Sequence, residues 1–137
     1  MTKIDSFNLG VASEFIVAGV LIEQGYDVLL PFDRRGKYDL VIIKDGQFKK
    51  VQVKRANWTN PPHTTSKYLR VMTSSRGVIY TPEDIDLFAF LDCDKRVWLV
   101  PVEEVGDKKI ISLDKITTSD RNWTTKERFE AERWLIS

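Results

Sequence analysis

The sequence predicts an α/β fold in which a sheet carries a helix on one face. Three observations support that expectation. An apolar stretch between Leu9 and Gln24 has helical spacing, an Asp45-Gly46 pair sits between two extended runs, and two further strand-like runs, 86–91 and 97–102, flank a polar segment. A chain of 137 residues fits one compact domain, expected to span 1–137. Its 42% hydrophobic and 30% charged content is that of a packed globular protein, which excludes wholesale disorder and a coiled coil.

In the first helix, Leu9, Val11, Ala12, Phe15, Ile16, Ala18, Leu21 and Ile22 recur at helical intervals, and Gly25 is the expected stop. Tyr26 to Pro31 reads as a short strand. After the turn-like Asp33-Arg34-Arg35-Gly36-Lys37, Tyr38 to Ile43 reads as a second strand, and Asp45-Gly46 reverses the chain into a third, Gln47 to Arg55. Asn57 to Lys67, with Pro61-Pro62, reads as an irregular surface loop. Tyr68 to Thr73 and Gly77 to Tyr80 read as extended, and Thr81-Pro82-Glu83-Asp84 as a one-turn helix start. The runs Asp86–Leu91 and Val97–Val102 are expected to form a hairpin. Thr124-Thr125-Lys126-Glu127 has capping-box spacing ahead of a short helix carrying Phe129, Ala131, Trp134 and Leu135.

Charge and cysteine content narrow the functional classes. With 21 Lys and Arg against 20 Asp and Glu, the net charge of +1 gives no global field for a polyanion, so nucleic-acid binding requires a local concentration of cations. The lone Cys93 forms no intrachain disulfide, and nothing beside it has the spacing of a zinc site. The N-terminus lacks a secretory apolar region, and no stretch approaches the roughly 20 apolar residues of a membrane span. A soluble, cytoplasmic protein is the expectation.

Four polar residues stand out against this background. Glu14 lies at i+3 from Val11 and i−4 from Ala18, on the helix face expected to look inward, where an unanswered carboxylate is costly. Asp39 opens an apolar strand, a poor place for a merely solubilising charge. Gln52 and Lys54 alternate with Val51 and Val53 and so share one strand face, which the hairpin can bring beside Asp39. Two carboxylates, an amide oxygen and an ammonium suit magnesium or manganese and phosphate chemistry. The same residues also suit a structural role, with Lys54 ion-paired to Asp39 or Glu14 and Gln52 satisfying a backbone group.

The segments Gly10-Val11-Ala12-Ser13-Glu14, Tyr38-Asp39-Leu40-Val41 and Val51-Gln52-Val53-Lys54 together resemble the catalytic core of PD-(D/E)xK nucleases, in particular the homing-endonuclease and Holliday-junction-resolvase-like branches. Asp39 and Gln52 stand 13 positions apart, a separation that adjacent strands accommodate. The resemblance implies a restriction-endonuclease-like core, with a central mixed sheet flanked by helices. It also implies a DNA endonuclease whose Mg2+ or Mn2+ is held by Glu14, Asp39, Gln52 and the Val53 carbonyl, with Lys54 acting on water and phosphate. Gln52 departs from the pattern, which has an acidic residue there, and the departure leaves open a catalytically impaired DNA-binding or structural protein.

For DNA contact the candidates are Arg34, Arg35 and Lys37 before the Asp39 strand, and a basic strip of Lys49, Lys50, Arg55, Lys67 and Arg70 interleaved with Trp58 and Tyr68. Each also reads as an ordinary solvent-facing or core residue. His63, the single histidine, reads as a solvent-exposed loop residue. One apparent metal site per chain implies a homodimer or tetramer if both DNA strands are cut. The catalytic residues do not separate a homing-type enzyme reading a long duplex from a resolvase reading junction shape.

Overall fold

The computed structural model describes residues 4–62, 65–117 and 131–137. Helix α1 runs from Ser6 to Glu23, beginning three residues before the apolar spacing does. The reason is a polar cap: the Asp5 carboxylate accepts from the Asn8 backbone N–H at 2.8 Å, satisfying a donor that the first turn leaves free. At the other end Gly25 takes φ +94, a left-handed conformation that stops the helix.

Apolar residues surround α1, so spacing alone does not reveal its inner face. Ser13, Val17, Ala18 and Leu21 are buried, whereas Phe7, Phe15 and Ile22 face outward. Over its 18 residues the mean hydropathy is 1.4, so by length and composition α1 does approach a membrane span, contrary to the sequence expectation. Its fully buried Val17 and Leu21 pack on the sheet, as in a core helix, each burial contributing about 1.5–3 kcal/mol.

The strands are β1 (Asp27–Leu29), β2 (Leu40–Lys44), β3 (Gln47–Arg55), β4 (Asn57–Thr59), β5 (Ser66–Met72), β6 (Ser74–Ser75), β7 (Val78–Ile79), β8 (Leu87–Leu91), β9 (Val97–Pro101) and β10 (Ile110–Thr117). A short helix, α2 (Val102–Val105), follows β9. The central sheet has the order β1-β2-β3-β8-β9. It is mixed, because β3 pairs parallel with β8 while the other neighbours run antiparallel. A second sheet has the order β10-β5-β4, and β6 and β7 form a separate two-stranded ribbon.

Period-two alternation in the central strands separates two cores. Val51, Val53, Ala89 and Leu91 pack toward Val17 and Leu21 of α1. Phe88 and Phe90 point to the opposite face, where they meet Leu69, Val71 and Leu113 of the second sheet with Trp98 and Ile85. The α/β architecture with a central mixed sheet flanked by helices is therefore present.

Several local expectations are corrected. The expected loop at 57–67 is extended at both ends, as β4 and the start of β5, because Trp58 and Leu69 pair across them and join the core. Thr81–Asp84 is a turn rather than a helix start; the Asp84 carboxylate accepts from the Thr81 N–H at 3.0 Å and closes it. Val102 begins α2 instead of ending a strand. Strand β10 was not anticipated. Its Asp114 is buried, answered by Arg96 at 3.2 Å, and a bulge between Ser112 and Asp114 interrupts the alternation. Thr124 to Phe129 of the expected terminal helix lie outside the described residues. Beyond Ala131 and Glu132 the chain instead lies along β9, where the Leu99 N–H donates to the Trp134 carbonyl at 2.9 Å and the Ile136 N–H to the Val97 carbonyl at 2.9 Å.

Candidate active site

The β2–β3 hairpin turns on Asp45 and Gly46, both with positive φ, +53 and +76. That pair of left-handed residues matches the right-handed twist of the strands, and it sets the register Leu40↔Val51. One step further along the same register, Asp39 faces Gln52. Its N–H donates to the Val51 carbonyl at 2.8 Å, and its carboxylate accepts from the Val53 N–H at 2.9 Å. One backbone and one side-chain bond therefore fix Asp39 just before β2, opposite the stretch of β3 that runs on past β2 and pairs with β8.

This position is open from two directions. On the α1 side a cavity of about 290 Å3 is lined by Ser13, Glu14, Asp39, Gln52, Val53 and Arg55, among others. On the other side a cavity of about 490 Å3 is bounded by Lys37, Asp39, Gln52, Ser75, Arg76 and Tyr80, among others. Asp39 and Gln52 are common to both.

Of the four expected residues, Glu14, Asp39 and Gln52 line the α1-side cavity, and the charge of Lys54 acts on Asp39. Burial, the hydrogen-bonded proximity of Glu14 and that neighbour's charge push the Asp39 carboxyl up to about 7, against the opposing pull of the Val53 N–H and the Lys54 charge. Gln52 and Lys54 lie on the same face of β3. The amide of Gln52 reaches the Val53 carbonyl at 3.4 Å, and the Lys54 Nζ lies 5.4 Å from the centre of the Tyr80 ring. Burial lowers the Lys54 pKa, and Asp39 draws it partly back. Among the described residues Lys54 makes no ion pair, so the structural pairing considered for it is not formed. Glu14 is instead bound by Arg34 at 2.8 Å.

The donor set fits a hard divalent cation. Two adjacent carboxyl groups, one of them held near neutrality by its surroundings, are what such a charge relieves, and the Gln52 amide and Val53 carbonyl add neutral oxygens. Among the described residues no group of three or more His, Cys, Asp or Glu side chains is placed to hold a metal, because Gln52 stands at the third position.

The cations expected to touch DNA occupy different places. Arg34, Arg35 and Lys37 all face carboxylates, Glu14 at 2.8 Å, Asp33 at 2.6 Å and Asp84 at 3.3 Å respectively. Arg55 enters the α1-side cavity, its Nε donating to the Ser13 hydroxyl at 3.1 Å. Lys50 donates to the Glu83 carbonyl at 3.0 Å, and the exposed Lys49 lies toward the far end of β3. Trp58 packs against the core. On the second sheet Lys67 is exposed and Arg70 stacks on Tyr68 at 4.9 Å. These residues do not make one continuous strip. Sequence reasoning missed Ser13, Arg76 and Tyr80. Only Arg76 had a legible signal, an X-Gly pair between two extended runs.

Comparison with known proteins agrees with the fold. Protein 5.3 of Escherichia phage T7 is 35% identical over 106 residues, covering 77% of this chain and 88% of that protein. The structure of a bacterial homing endonuclease, I-Ssp6803I, superposes with a TM-score of 0.69 at 20% identity, covering 94% of this chain and 95% of that one. The sequence model of the PD-(D/E)XK endonuclease family matches residues 4–134, and the chain belongs to that family.

Proposed function

We propose that the protein is a divalent-metal-dependent DNA endonuclease that hydrolyses phosphodiester bonds, acting in homing fashion on long duplex sites. The observation that carries this reading is the cavity lined by Glu14, Asp39 and Gln52 where β2 and β3 separate, with the Lys54 charge acting on Asp39, in a chain of an endonuclease family. The duplex preference follows the fold shared with a bacterial homing endonuclease.

Glu14 and Asp39 would hold Mg2+ or Mn2+, with the Val53 carbonyl and the Gln52 amide completing the protein's share. A half-turn of that amide exchanges its NH2 for its oxygen. The cation supplies Lewis-acid activation of water and neutralises phosphate charge. Lys54, partly desolvated and without an ion pair among the described residues, keeps an ammonium within the site to stabilise charge growing on the phosphate and to position the attacking water. Arg55, steadied by Ser13, faces the α1-side cavity as a phosphate contact. Arg34, Arg35 and Lys37 contribute by exchanging their carboxylate partners for phosphates.

Cutting both strands with one site per chain calls for a homodimer or a tetramer of dimers. The outward Phe15 and Ile22, seven residues apart and so on one stripe of α1, support an apolar contact there. The cytoplasm is the proposed setting.

The test is cleavage of a library of long linear duplexes and of four-way junctions in Mg2+, Mn2+ and EDTA, with Lys54→Met alongside. Metal-dependent cutting of linear sites is expected, and K54M is expected to bind DNA but cleave about 10²–10³-fold more slowly in single turnover. Equal rates for K54M would refute its chemical role. Cutting confined to junctions would make the protein a resolvase, and binding without cutting would make it the impaired member that Gln52 allows.

A further inference from the structure

The β6–β7 ribbon has a feature that the fold does not require. The pairs Ser74↔Ile79 and Ser75↔Val78 leave Arg76 and Gly77 as a two-residue turn, with φ +51 and +81. Such turns favour Asn-Gly or Gly-Gly, since both residues are left-handed, and a long L side chain at the first position is strained. Strain kept at one residue directs attention to what that residue does.

Arg76 is exposed and, among the described residues, makes no side-chain hydrogen bond or ion pair. The base of the ribbon, by contrast, is fixed on both sides. The Thr73 hydroxyl donates to the Lys108 carbonyl at 2.6 Å, its N–H donates to the Lys109 carbonyl at 2.8 Å, and Tyr80 meets Phe88 edge to face at 5.5 Å. The result is a short arm held at its base, with the Arg76 guanidinium, unpaired among the described residues, at its tip. Behind the tip lies the 490 Å3 cavity that opens onto Asp39 and Gln52, with Lys37 across it and Val78, Ile79 and Tyr80 as an apolar wall. Cations at the rim beside an aliphatic and aromatic wall match a nucleotide, phosphate outside and sugar or base within.

We propose that the β6–β7 ribbon clamps the DNA strand beside the scissile phosphate, with Arg76 on a neighbouring phosphate and Val78 to Tyr80 against that nucleotide's sugar or base. The proposal rests on the endonuclease reading and names the substrate contact of the same site.

Arg76→Asn separates a strained functional residue from a structural one, because Asn is favoured at this turn position. The probe is a fluorescently labelled mixed-sequence duplex of about 40 base pairs, titrated at several salt concentrations without catalytic metal, since non-specific binding already contains the phosphate contribution. R76N is expected to melt at the same or a higher temperature than the parent. Its plot of log affinity against log salt is expected to be shallower by about 0.9, the loss of one phosphate contact, while Arg76→Lys keeps most of the slope. An unchanged slope and affinity for a folded R76N overturns the clamp. A variant that melts lower and recovers no slope as R76K overturns it too, by making Arg76 structural. If the parent binds duplex and R76N lowers the slope but no substrate is cut, Arg76 remains a phosphate contact, while the endonuclease reading and the scissile position of the clamp fail. If the parent binds no DNA, both fall.

Discussion

Replacing Asp39 by Asn should make the metal-free protein more stable at pH 8. The Asp39 carboxyl is held at about 7 rather than the ordinary 3.8, so between those values the folded chain keeps a proton that the unfolded chain has released. Stability from this group therefore falls as pH rises from about 4 to about 7 and levels off above that. Each tenfold change in proton affinity is worth about 1.4 kcal/mol, so an ionised Asp39 at pH 8 costs on the order of 4 kcal/mol. Water entering from both cavities screens the charge, and about 2 kcal/mol is the working figure. Asn keeps an oxygen for the Val53 N–H and carries no charge, so in EDTA at pH 8 its urea midpoint should rise by about 1 M and its melting temperature by roughly 5–10 °C. The gain should shrink toward zero near pH 4. Magnesium should stabilise the parent and leave D39N unchanged. A D39N protein no more stable than the parent at pH 8 in EDTA would show that Lys54 and the Val53 N–H outweigh burial and Glu14, and the argument for a cation-seeking carboxyl pair would fail.

Two other expectations concern metal and assembly. Gln52→Glu adds a charge with little change in reach, so calorimetric titration should give Mn2+ binding at least about tenfold tighter; unchanged affinity would put Gln52 outside the metal's field. Phe15→Ser combined with Ile22→Ser should convert a dimer or tetramer to monomers in sedimentation velocity while the chain stays folded by circular dichroism, since neither side chain is in the monomer's core. A monomeric parent, or a double variant that still assembles, removes α1 from the interface.

The parts of the site legible in the sequence are those fixed by local rules. Asp45-Gly46 declares its turn type, and alternation about Val51 and Val53 puts Gln52 and Lys54 on one face; between them these features locate Asp39 to within one register step. Glu14 was found by helical spacing, yet its partner was not, because Arg34 reaches it from 20 residues away through a segment without periodicity. β10 was invisible for a related reason. Asp114 is buried in it with Arg96, on the far side of a turn, between it and Asp92, and a single strand's pattern cannot show a charge balanced elsewhere. The inner face of α1 was ambiguous because Phe7, Phe15 and Ile22 make the outside as apolar as the inside.

The run of residues 134–137 along β9 has a consequence for how copies of the protein can meet. It covers the backbone groups that an outer strand of the central sheet would otherwise present, with Val97 and Leu99 already hydrogen-bonded. The opposite margin, β1, is only three residues long. Among the described residues the central sheet thus has no long free margin on which another chain could continue it, which guards against fibre-like growth by strand addition. Association through this layer must use side chains rather than backbone, and can therefore be adjusted or abolished by surface substitutions that leave the sheet intact.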